Sequence, residues 1–277
     1  MSRLIAPEEA LTRIPGWGGR YACREIGGGL TNRSYLVSAT TGEFVLRLDA
    51  EHTKTFGLNR RAELKILREA SKADIAPEVV FADPDAGILL YEYLPGPVWE
   101  RSSLDDPQNL RSLAGLLRAV HALPASGETL DAAAAASRYA STAAKHPSLG
   151  PFVARCLSIV ADIPAPTQRC CCHNDAVASN IIGTSQLKLL DWEYACDNEP
   201  LFDLASLIGY HDLDGKQSNR LLHAYTGGPD PATRERLEEQ LRLYDAVQWL
   251  WLAARQVIAP SRRQCKRLHE LQRRVVE

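Results

Sequence analysis

The chain has 277 residues, 45% hydrophobic and 24% charged, with a formal net charge of -2. That is the composition of a globular protein long enough for two lobes around a sizeable core. It excludes a broad basic field for nucleic acid, and no apolar run approaches the ~20 residues that cross a bilayer. Met1–Glu9 lacks the apolar core of a signal peptide, so the expected location is cytoplasmic. The cysteine count is odd (Cys23, Cys156, Cys170, Cys171, Cys172, Cys196 and Cys265), which argues against a disulfide framework. The consecutive Cys170–Cys172 lack a C-x-x-C partner and read as small hydrophobes packing a strand.

Residues 1–20 predict a short helix and a loop rich in Pro and Gly. Strand signals follow at Tyr21–Ile26, Ser34–Val37 and Phe44–Leu48. The first two runs are separated by Gly27-Gly28-Gly29-Leu30-Thr31-Asn32. Glycines there let the backbone approach a phosphate, because no Cβ intervenes. The pattern is neither a P-loop nor a clean G-x-G-x-x-G, and alone it equally suits a simple turn. Arg47 on the third strand is a cation that could grip phosphates in a fork. In the charged helix Arg60–Glu69, Glu63 is its natural ion-pair partner and Glu69 the rival. Two further strands, Val79–Phe81 and Gly87–Tyr91, lead to Glu92-Tyr93-Leu94-Pro95-Gly96. The lobe boundary falls here, giving lobes of residues 1–94 and 95–277, and the backbone at Glu92 and Leu94 is placed to meet a nucleotide base.

The remainder predicts helices over 107–122, 130–145, 149–161, 216–226, 231–257 and 261–276, with another opened by Pro200. Among them lies Cys172-His173-Asn174-Asp175-Ala176-Val177-Ala178-Ser179-Asn180, followed after eleven residues by Asp191-Trp192-Glu193. Apolar runs on either side of Gly183-Thr184-Ser185 read as a hairpin. A hairpin folds its ends together, so Asn180 and Asp191 should meet, with Asp175 just upstream. One carboxylate can then poise a hydroxyl while the other carboxylate and the amide oxygen hold Mg²⁺ against phosphates, which are the parts of kinase-type phosphoryl transfer.

Taken in this order, the Gly27–Asn32 segment, Arg47, the His173–Asn180 loop, Leu190-Asp191-Trp192-Glu193-Tyr194 and Phe202-Asp203-Leu204-Ala205 resemble the choline/ethanolamine kinase branch of the aminoglycoside phosphotransferase-like superfamily. Thiamine kinase shares the Asp-Trp-Glu-Tyr segment and the third-strand arginine. Two departures weaken the choline assignment: Val177 stands where a polar residue is common, and Gln248-Trp249-Leu250-Trp251 replaces a W-x-x-W pair.

The resemblance implies an α+β, protein-kinase-like two-lobed fold, with an antiparallel sheet and helix in the N-lobe and a mainly helical C-lobe carrying the catalytic hairpin. It implies ATP and Mg²⁺ as cofactors and a small-molecule alcohol as the partner, with the protein a monomer or homodimer. Asp175 would be the catalytic carboxylate, and His173 would fix its loop. Gly28, Gly29, Thr31, Asn32, Arg47 and Glu63 would serve the nucleotide, Asn180 and Asp191 the metal. Glu193, Tyr194, Trp249 and Trp251 would join Asp175 around the acceptor, since aromatic faces attract a quaternary ammonium. Choline or ethanolamine is the expected acceptor, with thiamine or an aminoglycoside as alternatives. From a different class, a catalytically silent nucleotide-binding scaffold stays open.

Overall fold

The computed structural model describes residues 4–28 and 30–276. After a short helix α1 (Pro7–Thr12), the strands β1 (Tyr21–Gly28), β2 (Asn32–Ala39) and β3 (Gly42–Asp49) run as an antiparallel meander. Helix α2 (Arg60–Lys72) follows, its first turn capped by the Asn59 side chain, which accepts from the Ala62 N–H at 3.1 Å. Strands β4 (Val79–Asp83) and β5 (Ile88–Glu92) complete a five-stranded antiparallel sheet in the order β1-β2-β3-β5-β4. The fold class is α+β, with an antiparallel sheet and helix first, as the resemblance implied.

Alternation along β3 decides what each face of this sheet does. Leu46 and Leu48 point outward and are sealed by Ala10, Leu11 and Ile14 of the α1 segment. Val45 and Arg47 point the other way, toward α2. On that side Phe56, Ile66, Leu67, Ala70, Ile75 and Leu89 join a single hydrophobic core that continues through the helical half of the chain.

That half contains α3 (Pro107–His121), α4 (Ala132–Ala143), α5 (Gly150–Asp162), α6 (Pro200–His211), α7 (Gly215–Thr226), α8 (Pro231–Ile258) and α9 (Arg262–Val276). Every residue of α6 from Leu201 to Gly209 is buried, so this helix is its axis. Among the described residues, no helix is long and apolar enough to cross a membrane.

Two short ribbons lie between α5 and α6. Strand β6 (Cys170–Cys172) pairs with β9 (Cys196–Asn198), and β7 (Ile181–Ile182) pairs with β8 (Lys188–Leu189). The second ribbon is the predicted hairpin. The first was not predicted, because Cys196-Asp197-Asn198 has none of the alternation or β-branching that announces a strand. The hairpin is tied to the segment leaving β5: the Trp99 N–H donates to the Ile181 carbonyl and the Gly183 N–H to the Pro97 carbonyl. Its turn needs Gly183, at φ +108°, because a Cβ there would enter the van der Waals shell of the Gln186 carbonyl oxygen. Gly183→Ala should therefore lower stability by about 1–3 kcal/mol. A chemical denaturation midpoint unchanged from the parent would show that the turn tolerates the side chain.

Candidate active site

The base of the glycine segment is anchored by one carbonyl. Thr31 C=O accepts from the Ala50 N–H at 2.9 Å, the Thr53 hydroxyl at 2.7 Å and the Arg60 guanidinium at 3.2 Å. Gly28 ends β1, while Gly29 lies outside the described residues. The Thr31 hydroxyl and the Asn32 amide are not free to meet a phosphate here. They donate to the two carboxylate oxygens of Glu193, at 3.2 and 3.0 Å.

Arg47 forms a two-pronged pair with Glu63, Nη1 to Oε1 at 2.5 Å and Nη2 to Oε2 at 2.7 Å, with both side chains under a tenth exposed. Glu69, the rival partner, pairs with Lys72 instead. Burial works to lower the Arg47 pKa, but Glu63 overrides it and holds the guanidinium charged. Burial likewise works to raise Glu63, and Arg47 and Arg60 bring it below the usual range. Arg60 was missed as a site residue, because an arginine at the start of a charged helix reads as solvated. It bridges Asp49 at 2.8 Å, Glu63 at 2.9 Å and Glu193 at 3.2 Å. Arg47 Nη1 also stands 3.7 Å from an Asp191 oxygen. Strand β3, α2 and the segment after β8 thus meet around two arginines.

The loop after β6 is held from below by Asp203 of α6. Its carboxylate accepts from the His173 N–H at 2.9 Å, the Asn174 N–H at 2.6 Å and His121 Nε2 at 3.0 Å. Burial works to raise the Asp203 pKa, and these donors keep it below the usual range. Asn174 is driven into the left-handed region, φ +63°, a conformation that asparagine tolerates. His173 is fully buried and its pKa is lowered, chiefly by burial. Its Nε2–H donates to the Leu190 carbonyl at 3.0 Å, leaving Nδ1 to accept the Asp175 N–H at 3.3 Å. The loop's turn is fixed by His211, also not foreseen, whose Nε2 accepts the Ala178 N–H at 2.9 Å. Burial lowers His211 to about 4, which keeps that nitrogen an acceptor.

The hairpin brings the predicted oxygens together. Leu190 N–H donates to the Asn180 carbonyl at 2.8 Å, which closes the ends of the two strands. The Asn180 amide nitrogen donates to the Asp175 carbonyl at 2.9 Å and to its carboxylate Oδ2 at 3.0 Å. The Asn180 side-chain oxygen accepts no hydrogen bond among the described residues. Asp191 adopts a left-handed conformation, φ +58°, and its carboxyl is partly exposed. Burial raises Asp175 well above its ordinary value, and the charges of Asp191 and Glu193 raise it further. Burial and the Asp191 charge push Glu193 up to about 7 against the pull of Arg47 and Arg60. Three carboxyls so placed are an incomplete electrostatic unit. Hard oxygen donors without thiol or imidazole among them, plus an amide oxygen, fit Mg²⁺. Asn180 and Asp191 would hold it.

The segment after β5 spends two of its amides on the sheet. Glu92 N–H donates to the Glu78 carbonyl and Tyr93 N–H to the Glu43 carbonyl. The Glu92 side chain turns away, accepting the Glu78 N–H at 3.1 Å and lying 3.8 Å from Lys188. The Leu94 N–H has no hydrogen bond among the described residues, which leaves it free to donate to a base.

The two tryptophans of α8 have opposite fates. Trp249 is fully buried and packs on Phe152 of α5, so the structure does not bring it to the site. The reason is helical phase: residues two apart on a helix face different neighbours. Trp251, half-buried, donates its Nε1–H to the Tyr194 hydroxyl at 2.9 Å. Phe56 lies 5.7 Å from its ring and the Arg255 guanidinium 5.1 Å over it. Tyr194, Trp251 and Phe56 therefore form one aromatic wall beside Glu193.

Glu63→Ala would strand Arg47 in a buried site and should cost about 3–5 kcal/mol of stability. A urea midpoint within error of the parent would deny the pair that role. In metal-free buffer Asp175 binds its proton more tightly folded than unfolded. The folded state therefore carries the extra proton, and stability should fall as pH rises from about 4 through the raised folded value. Asp175→Asn should flatten that pH dependence of the midpoint, and an unchanged slope would assign it elsewhere.

Comparison with known proteins identifies the family. The family model described as "Phosphotransferase enzyme family" matches residues 22–240, well over half of the chain. Thiamine kinase of Salmonella paratyphi B is 30% identical over 221 residues, covering 78% of this chain and 75% of that protein. Protein LicA of Haemophilus influenzae is 40% identical over 55 residues, 20% of this chain and 21% of the relative. Among solved structures, choline kinase LicA from Streptococcus pneumoniae superposes with a TM-score of 0.76 at 22% identity, covering 92% of this chain and 93% of that one. The chain therefore belongs to the phosphotransferase enzyme family: it is a small-molecule phosphotransferase with the protein-kinase-like fold.

Proposed function

We propose that the chain transfers the γ-phosphoryl group of ATP, with Mg²⁺, to the primary hydroxyl of a small cationic alcohol, choline first and ethanolamine next. The observation that carries this reading is the Asp175–Asn180 hydrogen bond set beside the Asp191 and Glu193 carboxyls and opposite the Arg47–Glu63 pair. Asp175 takes a hydrogen bond from the acceptor hydroxyl and orients its lone pair for in-line attack. The hydroxyl proton passes to Asp175 Oδ or to the transferred phosphoryl, the bond from the γ-phosphorus to the bridging oxygen breaks, and ADP leaves with a phosphomonoester as the other product. Arg47, locked in aim by Glu63, meets the α- and β-phosphates. Asn180 and Asp191 hold the Mg²⁺, which when bound neutralises charge on the nucleotide. Thr31 and Asn32 cover the phosphates once Glu193 releases them, with the backbone of Gly28 beside them, and Leu94 meets the base.

A cationic acceptor suits the acid cluster and the wall of Tyr194 and Trp251, where a cation–π contact contributes ~0.5–2 kcal/mol. Arg255 already lies over the Trp251 face, so the acceptor's ammonium shares or takes that position. Thiamine is the second reading, because the thiamine kinase relative matches over most of both chains.

ADP release should be measured across choline, ethanolamine, thiamine, homoserine, amino sugars and kanamycin. Choline is expected to give the highest kcat/KM. Preference for thiamine would move the assignment to the second reading, and ATP binding without transfer to any acceptor would favour a silent nucleotide-binding scaffold. Asp175→Ala should lower kcat by ~10²–10⁴ while ATP still binds, and near-parental turnover would refute its role. Trp251→Ala should raise the acceptor KM several-fold at little change in kcat, and an unaltered KM would remove the ring from the pocket.

A further inference from the structure

The three consecutive cysteines of β6 divide between two environments, as strand alternation requires. Cys171 is fully buried in the main hydrophobic core. Cys170 and Cys172 share the other face, with their sulfurs 3.8 Å apart. Helix α3 ends against this face at His121. One ring nitrogen of His121 and the two sulfurs all lie within 4.8 Å of one another.

Two sulfurs each about 2.3 Å from one tetrahedral ion stand about 3.8 Å apart. The observed separation thus has the edge length of a metal site. A disulfide would require the same atoms to close to about 2.05 Å. The histidine is also prepared for ligation. Its Nε2 meets the Asp203 carboxylate at 3.0 Å and its Nδ1 the Tyr225 hydroxyl at 2.7 Å. A carboxylate on one nitrogen fixes the ring and its tautomer and raises the basicity of the other, the arrangement found behind metal-bound imidazoles. Cys172 is fully buried and the His121 side chain is 6% exposed, while Cys170 is only partly covered and gives an ion a way in.

We propose that His121, Cys170 and Cys172 form a transition-metal site for Zn²⁺, separate from the oxygen-lined Mg²⁺ site. Nδ1 turns from Tyr225 to the ion while Nε2–H stays on Asp203. The two thiols lose their protons to solvent as the ion binds, and the fourth position takes water or the Tyr225 oxygen. Two thiolates and an imidazole select Zn²⁺ over Mg²⁺ by softness. The ion fastens the end of α3 to β6, and β6 runs directly into His173 and Asn174. It therefore stiffens the loop that Asp203 holds.

The reduced, chelator-treated full chain should be titrated with Co²⁺ in the absence of nucleotide, then with Zn²⁺. One equivalent of Co²⁺ should produce intense tetrahedral d–d bands with a sulfur-to-cobalt charge-transfer band, and Zn²⁺ should bleach both. Cys170→Ser, conservative and at a partly exposed position, should lose the charge-transfer intensity while keeping the parental circular dichroism. Zn²⁺ should raise the Tm of the parent and not that of Cys170→Ser. A weak octahedral spectrum at every Co²⁺ concentration would report oxygen ligation alone and overturn the proposal. So would an undiminished charge-transfer band in the Cys170→Ser, Cys172→Ser double variant. The readouts are spectroscopic and thermal, so they stand whichever acceptor the enzyme uses.

Discussion

Two buried arginines set the charge balance on which the catalytic cleft depends. The Arg47 and Arg60 side chains are each covered by protein, and carboxylates converge on them from three separate parts of the chain. Glu63 comes from α2, Asp49 from the end of β3 and Glu193 from beyond β8. The pairing therefore fixes how the sheet, its helix and the hairpin segment sit together, because a buried charge left without its partner is far more costly than a lost surface bridge. The same convergence leaves Asp175 and Asp191 with less positive charge than they need. Burial first, and neighbouring carboxylates second, raise the pKa of both. A site that is electrostatically complete only after a cation and a polyanion arrive together is suited to bind the metal–nucleotide pair as a unit.

The loop after β6 is organised on a different principle, held in place by hydrogen bonds from within the protein. Asp203 satisfies two successive backbone amides and a histidine from another helix. His173 spans from the Leu190 carbonyl to the Asp175 amide and packs edge-on against Trp192, 4.9 Å between ring centres. Left-handed backbone at Asn174 and Asp191 is sustained by this scaffolding. Rigid support beneath a charge-deficient surface separates the two tasks of positioning and electrostatic attraction. The thiol–imidazole cluster at His121 belongs to the support, since its histidine is one of the donors on Asp203.

The aromatic residues beside the cleft form a different layer. The wall of Tyr194, Trp251 and Phe56 draws on α8, on the loop after β3 and on the segment after β8, and these three rings are not among the oxygen and guanidinium groups proposed for metal and nucleotide. Relatives that share the nucleotide machinery can therefore differ in acceptor. Fold alone therefore does not name the acceptor.

The strands and helices were legible in the sequence because they rest on local periodicity, and the Asp175, Asn180 and Asp191 grouping was legible because a hairpin brings its own ends together. Arg47 opposite Glu63 could also be anticipated, since a strand cation and the following helix have few other ways to meet. Contacts between distant segments could not. Nothing in Arg60, His121 or His211 marks them apart from surface or core residues until α2, α3 and α6 are packed. Helical phase over a stretch as short as Gln248–Trp251 does not say which tryptophan faces the core, and packing against α5 buried Trp249 while leaving Trp251 beside Tyr194. Three adjacent cysteines read alone are a hydrophobic strand, and only the arrival of His121 from a remote helix gives two of them a third ligand. Local pattern thus determined the elements and the hairpin's geometry, whereas long-range burial and charge pairing, which depend on where separate elements dock, decided the rest.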